Sequence, residues 1–199
     1  MFDFLSYRAV TKHDAPLLRQ WRTAPEITRD MLTDVNVTVA EQEAWIERCE
    51  QRDDFTHRIV CIHGRDVGYR SITVRDQHCG IGEIGAYIGE ADAPKSHTVY
   101  AFLGTLNHAF LTLGLHKLVN HIMHSNDRIL KAQAFNGYRH VGVLHDHWLK
   151  NGSRYDVHVF EQSVSDWLRF RQKFAYVKDW DGRETDHAVE RLTEKEKPQ

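Results

Sequence analysis

Histidine is the unusual feature of the composition, with 14 copies. An imidazole titrates near neutral pH, so each copy is a possible base or switch, although scattered solvated or half-buried copies are the ordinary state. His145 and His147 stand two apart in a run that reads as a strand, where alternation puts both on one side. Facing a cleft, they serve as a base or a sugar ligand. As a metal pair they lack a nearby third ligand, and no metal is expected. Lys95, Ser96, His97 and Thr98 open the strongest helical pattern in the chain. A helix N-terminus with a lysine and two hydroxyls suits an anion. The same hydroxyls also suit simple N-capping. Glu83 lies within Gly80 to Gly89, GIGEIGAYIG. Glycines at that density weaken a regular strand and suggest a bulge or a close backbone approach.

The elements that position these residues follow from periodicity and turn chemistry. Ser6 to Thr11 is β-prone, and Asp14 caps a helix running to about Ile27. Thr38-Val39-Ala40-Glu41 is a capping box that opens a second helix. Strands follow at Thr56–Ile62 and Val67–Arg75, joined by a turn at His63–Asp66, and then comes the glycine-rich run. Phe102, Leu106, Phe110 and Leu111 form the stripe of the helix that Ser96 or Thr98 caps and Gly114 closes. Lys117–Met123 is a strand and Asp127–Asn136 a helix stopped by Gly137. Val141–Leu149 and Arg154–Glu161 are strands joined by an Asn151-Gly152 hairpin. Trp167, Phe170, Phe174 and Val177 mark an amphipathic helix, after which the chain from Trp180 to Gln199 reads as polar and frayed. This order predicts an α/β (α+β) mixed sheet of about seven strands with about four flanking helices and a C-terminal helix. The boundary falls between residues 1–162, one domain, and 163–199, a helix with a charged tail.

The chain has 199 residues, of which 41% are hydrophobic and 27% charged, which bounds it to a globular protein with a sizeable core. A formal net charge of -2 supplies no global field for nucleic acid or anionic membrane. The three cysteines, Cys49, Cys61 and Cys79, form no paired spacing, so a reducing cytoplasm is expected. The N-terminus has no signal-peptide pattern, and no apolar run approaches the length of a membrane span.

The stretch from Ala101 to Leu144 resembles the GNAT acyltransferase superfamily. His108-Ala109-Phe110 with Leu113-Gly114-Leu115 and Lys117-Leu118, then Asn126, Gly137-Tyr138 and Val141-Gly142, looks like the family's "yaF-x-x-L-x-l-x-kl…N…GF…eG". Asn151 to Asp156 looks like its late "dG-x-y-x-D". The segment is most similar to N-acetyltransferases of nucleotide-linked amino sugars and to ribosomal-protein-type N-terminal acetyltransferases. The likeness spans about residues 6 to 162. It implies the GNAT fold and transfer of an acetyl or other short acyl group from acyl-CoA to an amine.

The resemblance also implies roles. Tyr87 and Ile88 fall where a bulged fourth strand exposes backbone amides to pantetheine, and Asn126 matches an asparagine that contacts the cofactor arm. Glu83 falls where many members carry a carboxylate that reaches the amine through water, so it is the first candidate base. Trp21, Arg22, Trp45 and Arg70 fall in the acceptor region, where aromatics stack a base or sugar and arginines grip phosphate. Each tryptophan also suits the core. His97 fits either the cofactor or the reacting carbonyl. Two departures stand out: Ser96 and Thr98 replace the glycines of the family's pyrophosphate loop, and Gln133 replaces the tyrosine that protonates the leaving thiolate. The expected acceptor is a nucleotide-linked deoxyamino sugar. A protein N-terminus or another small amine is the alternative on the same fold. A degenerate, non-catalytic binding module is the alternative outside enzymology. The C-terminal helix is expected to pack on the domain or on a second subunit as a homodimer.

Overall fold

The computed structural model describes residues 3–33, 36–176 and 178–189. Strand β1 (Leu5–Ala9) leads through a 3-10 turn (Lys12–Asp14) into helices α1 (Ala15–Thr23) and α2 (Pro25–Thr28). The single helix expected to Ile27 is broken at Ala24, which is extended and precedes Pro25. Helix α3 (Val39–Glu50) opens on the expected capping box: Thr38 Oγ1 accepts from the Glu41 amide, and the Glu41 carboxylate accepts from the Thr38 amide. Then come β2 (Phe55–Ile62), β3 (Arg65–Asp76), β4 (Ile81–Ile88), α4 (Lys95–Asn107) with a π-helical turn (His108–Thr112), β5 (Lys117–Met123), α5 (Asp127–Phe135), β6 (Arg139–Lys150), β7 (Ser153–Ser163) and α6 (Val164–Arg171).

The seven strands form one mixed sheet in the order β1-β2-β3-β4-β5-β7-β6. All neighbours are antiparallel except β4 and β5. These two pair only at Ile81↔Lys117 and Gly82↔Leu118, then part. Each face carries a core. On one, Ile72, Leu118 and Phe160 of the sheet meet Leu103, Leu106 and Phe110. On the other, Ile59 and Tyr69 meet Leu18, Trp21 and Ile46 of α1 and α3.

The glycines of β4 reflect close approach, with no register shift inside the strand. A Cβ on Gly85 would lie 2.4 Å from Ser71 Oγ, and one on Gly89 would lie 2.2 Å from the Trp21 ring. The expected bulge sits on β3 instead, between Val74 and Asp76.

The C-terminal segment is part of the first core. Trp167, Phe170, Tyr176 and Trp180 are all buried there. The frayed tail expected after Trp180 is corrected as far as residue 189: Thr185 and Ala188 are buried, and Arg171 pairs with Asp186 at 3.2 Å. Val177 and residues 190–199 lie outside the described residues. No helix among the described residues is long and apolar enough to cross a membrane.

Candidate functional site

The parting of β4 and β5 builds the site. Beyond Gly82 the β5-facing edge of β4 has no strand partner. One amide on that edge, from Ile84, donates to the side chain of Asn120 on β5 at 3.1 Å. Alternation along β4 therefore turns the Ala86 and Ile88 amides toward the same opening. Tyr87 is turned the other way. It pairs with Tyr69 of β3, and its ring stacks on Tyr69 at 5.1 Å. Of the two residues expected to expose amides, Ile88 does so, while Tyr87 supplies core packing.

Glu83 shares a face with Tyr87, the face covered by α1 and α3. Its carboxylate accepts from Arg75 Nε at 2.8 Å, and its other oxygen is 3.8 Å from His121 Nδ1 on β5. Glu83 and His121 thus stand across from one another on the two strands that part. The sequence reading missed His121. The signal was present in the strand Lys117–Met123, where alternation puts His121 on one face and Asn120 on the other.

The α4 N-terminus lies a short loop beyond the end of β4. Its N-cap is Pro94, with no side-chain cap, so Ser96 and Thr98 do not cap it. The first helical bonds run from the His97 and Thr98 amides to the Pro94 carbonyl, at 2.9 and 3.1 Å. The Lys95 and Ser96 amides precede them, on exposed residues. Thr98 Oγ1 donates back to the Lys95 carbonyl at 2.8 Å. The His97 ring stacks on Phe4 at 4.1 Å, a packing role away from the opening. What remains for a phosphate is a helix N-terminus with two free amides, the Ser96 hydroxyl and the Lys95 ammonium.

Asn126 caps α5 by accepting from the Ile129 amide at 3.3 Å, and its Nδ2 donates to the Asp30 carbonyl at 3.3 Å. Gln133 is buried with its Oε1 unpaired.

Of the residues expected on the acceptor side, Trp21 and Arg70 are corrected. Trp21 is 1% exposed and lies over Gly89, with Nε1 donating to Glu90 at 2.8 Å. Arg70 is 6% exposed, and burial lowers its guanidinium to about 10. Both are core residues, because α1 and α4 press on the sheet where they sit. Trp45 is half-buried, edge-on to Phe55 and His57. Arg22 donates to Thr33 Oγ1 at 2.6 Å. The alternation expected of His145 and His147 fails, since Asp146 has φ 49 and β6 bulges between Leu144 and Trp148. His145 instead holds Asp156 at 2.9 Å, with 79% of its side chain exposed.

Two further clusters lie outside the opening. His158 bridges His124 at 2.9 Å and His140 at 3.0 Å in a row across β5, β7 and β6. His108, Asp179 and Asp181 offer ligand-type atoms within 4.8 Å of one another. Asp179 already accepts from Thr112 Oγ1 and from the Asp181 and Arg183 amides, and Asp181 faces Arg183 and Arg58. The hydrogen bonds explain that cluster as an anchor for the C-terminal segment.

Comparison with known proteins agrees with this geometry. The two solved structures described first each align at 16% identity. A spermidine N-acetyltransferase from Vibrio cholerae, in complex with CoA and spermine, covers 83% of this chain and 99% of its own at TM-score 0.73. The microcin C7 self-immunity acetyltransferase MccE, in complex with acetyl-CoA and AMP, covers 81% and 93% at TM-score 0.69. A putative acetyltransferase from T. thermophilus covers 85% and 91% at 17% identity and TM-score 0.71. No curated protein matches the sequence. The family model for the acetyltransferase (GNAT) domain matches residues 5–139. With most of its length matched and its fourth and fifth strands parted, this chain belongs to the GNAT family of acyl-CoA-dependent N-acyltransferases.

Proposed function

We propose that this protein transfers an acetyl group from acetyl-CoA to a small primary amine, with Glu83 as the base. The observation that carries the reading is the β4–β5 opening, with the Ala86 and Ile88 amides on its edge and Glu83 beside it. The pantetheine arm lies along β4, and the pyrophosphate meets Lys95 and Ser96. A backbone amide of β4 meets the thioester oxygen as it gains negative charge. Glu83 takes a proton from the ammonium through water, the free amine attacks the carbonyl carbon, and the C–S bond breaks. The acylated nitrogen sheds its surplus proton, and the leaving thiolate takes one up to depart as the thiol. Arg75 holds the Glu83 carboxylate by hydrogen bonds, and His121 faces its other oxygen from β5.

The acceptor is the finer question. The resemblance at Ala101–Asp156 supports a nucleotide-linked deoxyamino sugar. The shared fold of spermidine acetyltransferases supports a polyamine. Trp21 and Arg70, in the core, are not available to hold a nucleotide. The acceptor class is therefore a small primary amine, with the amino sugar as the first candidate within it. Isothermal titration with acetyl-CoA tests the donor, and absence of binding overturns the whole reading. Thiol release with spermidine, a nucleotide-linked amino sugar and an N-terminal peptide as acceptors then separates the amine classes. No turnover with any of the three, in a protein that binds acetyl-CoA, favours the binding module.

A further inference from the structure

The segment between α1 and α3 is tied down at both ends of the site. At one end, Trp21 lies on Gly89 and bonds to Glu90, immediately after β4 ends at Ile88. At the other, Asn126, just past the end of β5, donates to the Asp30 carbonyl. The chain from Trp21 to Asp30 therefore runs from the end of one parted strand to the end of the other. It spans the mouth of the opening.

What fixes its far end, together with Asn126, is Lys150, the last residue of β6. Lys150 is 5% exposed, and its Nζ donates to the carbonyls of Thr28 and Met31 at 2.6 Å each and of Arg29 at 3.3 Å. Those carbonyls belong to the last residue of α2 and the turn after it, where a helix end leaves acceptors unmet. A four-residue helix has too few internal bonds to hold its own place. One buried ammonium with three charge-assisted bonds holds it instead. Arg22, bonded to Thr33, closes the same loop from within.

We propose that Lys150 is a positioning residue of the acceptor site: it holds residues 24–31 as a strap across the β4–β5 opening and so keeps water from the bound thioester. The proposal rests on the acetyltransferase reading. A capping lysine with no further role would fix α2 and nothing else. A strap adds exclusion of water from the reacting centre. Replacing Lys150 takes the ammonium from three carbonyls, of which that of Thr28 keeps the Met31 amide at 3.1 Å, and loosens the strap, while Lys95, Ser96 and the β4 amides, which meet the donor, are untouched.

Lys150→Met and Lys150→Arg separate these roles. Hydrogen exchange in the free protein reads the strap without any substrate. Thiol release from acetyl-CoA alone, with no amine added, reads access of water to the thioester. The expected result for Lys150→Met is faster exchange confined to residues 24–33, several-fold faster acetyl-CoA hydrolysis and unchanged acetyl-CoA affinity. Lys150→Arg, which keeps a cationic donor, restores part of both effects. Unchanged exchange in Lys150→Met overturns the strap. Faster exchange with unchanged hydrolysis overturns its role in excluding water and leaves Lys150 as a cap. If the wild type does not bind acetyl-CoA, the donor reading falls and the thioester role with it, and exchange alone decides whether Lys150 holds the strap.

Discussion

The Ile84 amide donates to Asn120 Oδ1 at 3.1 Å, across the gap where β4 leaves β5. Two residues earlier the strands pair directly, at Gly82↔Leu118. The Asn120 side chain thus reaches across to β4 where the β5 backbone has turned away. Asn120 is 3% exposed, so its side chain has little water to turn to in place of that amide. At its closed end the opening is bridged by one asparagine.

Asn120→Ala is expected to cost about 1 kcal/mol or more, because the half-buried Ile84 amide loses its acceptor. It is also expected to weaken acetyl-CoA binding, since the strand edge that meets pantetheine loses its register. Chemical denaturation and titration on the same variant measure both. A stable variant with wild-type affinity would show that the sheet sets the gap without Asn120.

Glu83→Gln removes the proton acceptor and keeps the shape. Turnover is expected to fall by about 10²–10⁴-fold, with acetyl-CoA affinity unchanged. His121→Ala is expected to lower turnover less, because Arg75 still holds the carboxylate in place. Steady-state rates with whichever amine turns over read both. Near-wild-type turnover in Glu83→Gln places the base elsewhere and makes His121 the next residue to replace.

Much of the fold was legible because its signals are local. The Thr38–Glu41 capping box and the Asn151-Gly152 hairpin, with φ 50 and 76, depend on a few neighbouring residues. The mixed sheet followed from the order of such elements. The site was legible only in part. Glu83 and Lys95 stand at element positions that a sequence pattern can carry. Trp21 and Arg70 were misplaced because residue type does not say which side of a helix or strand meets the sheet. His145 and His147 were misplaced because a bulge changes alternation without changing composition. His121 and Lys150 matter through neighbours 38 and about 120 residues away in sequence, and no local signal marks such pairs.

The pH dependence of stability should reveal the buried histidines. Burial lowers His57 from 6.5 to about 4, and burial likewise lowers His108 and His158, the latter with help from His140 and His124. A histidine with a depressed folded pKa binds its proton more readily when unfolded. Its penalty is absent above pH 6.5 and grows as pH falls from there toward about 4. For His57 the full effect is up to about 3 kcal/mol. The paired carboxylates, such as Asp14 and Asp66, lose their contribution only at lower pH, near and below 3.8. Denaturation between pH 7 and 5 therefore isolates the histidines. Stability is expected to fall across that window, and less steeply in His57→Gln. Equal slopes would show that His57 does not carry this dependence.

Trp180 tests whether the C-terminal segment belongs to the domain. Its ring is 2% exposed, stacks on His108 at 4.7 Å and donates from Nε1 to Thr105 Oγ1 at 3.1 Å. Thr105 and His108 lie at the C-terminal end of α4, away from Lys95 and Ser96 at its start. Trp180→Ala is expected to cost about 3–5 kcal/mol through the cavity it leaves. At roughly 2–4 °C per kcal/mol for a chain of this size, the melting temperature should fall by about 6–20 °C. Acetyl-CoA affinity measured well below the new melting point should stay as in the wild type. Trp180→Phe refills most of the cavity and should recover part of the loss. A melting curve unchanged in Trp180→Ala would show that the segment merely lies on α4. Lost affinity in a folded variant would show that the two ends of α4 are coupled.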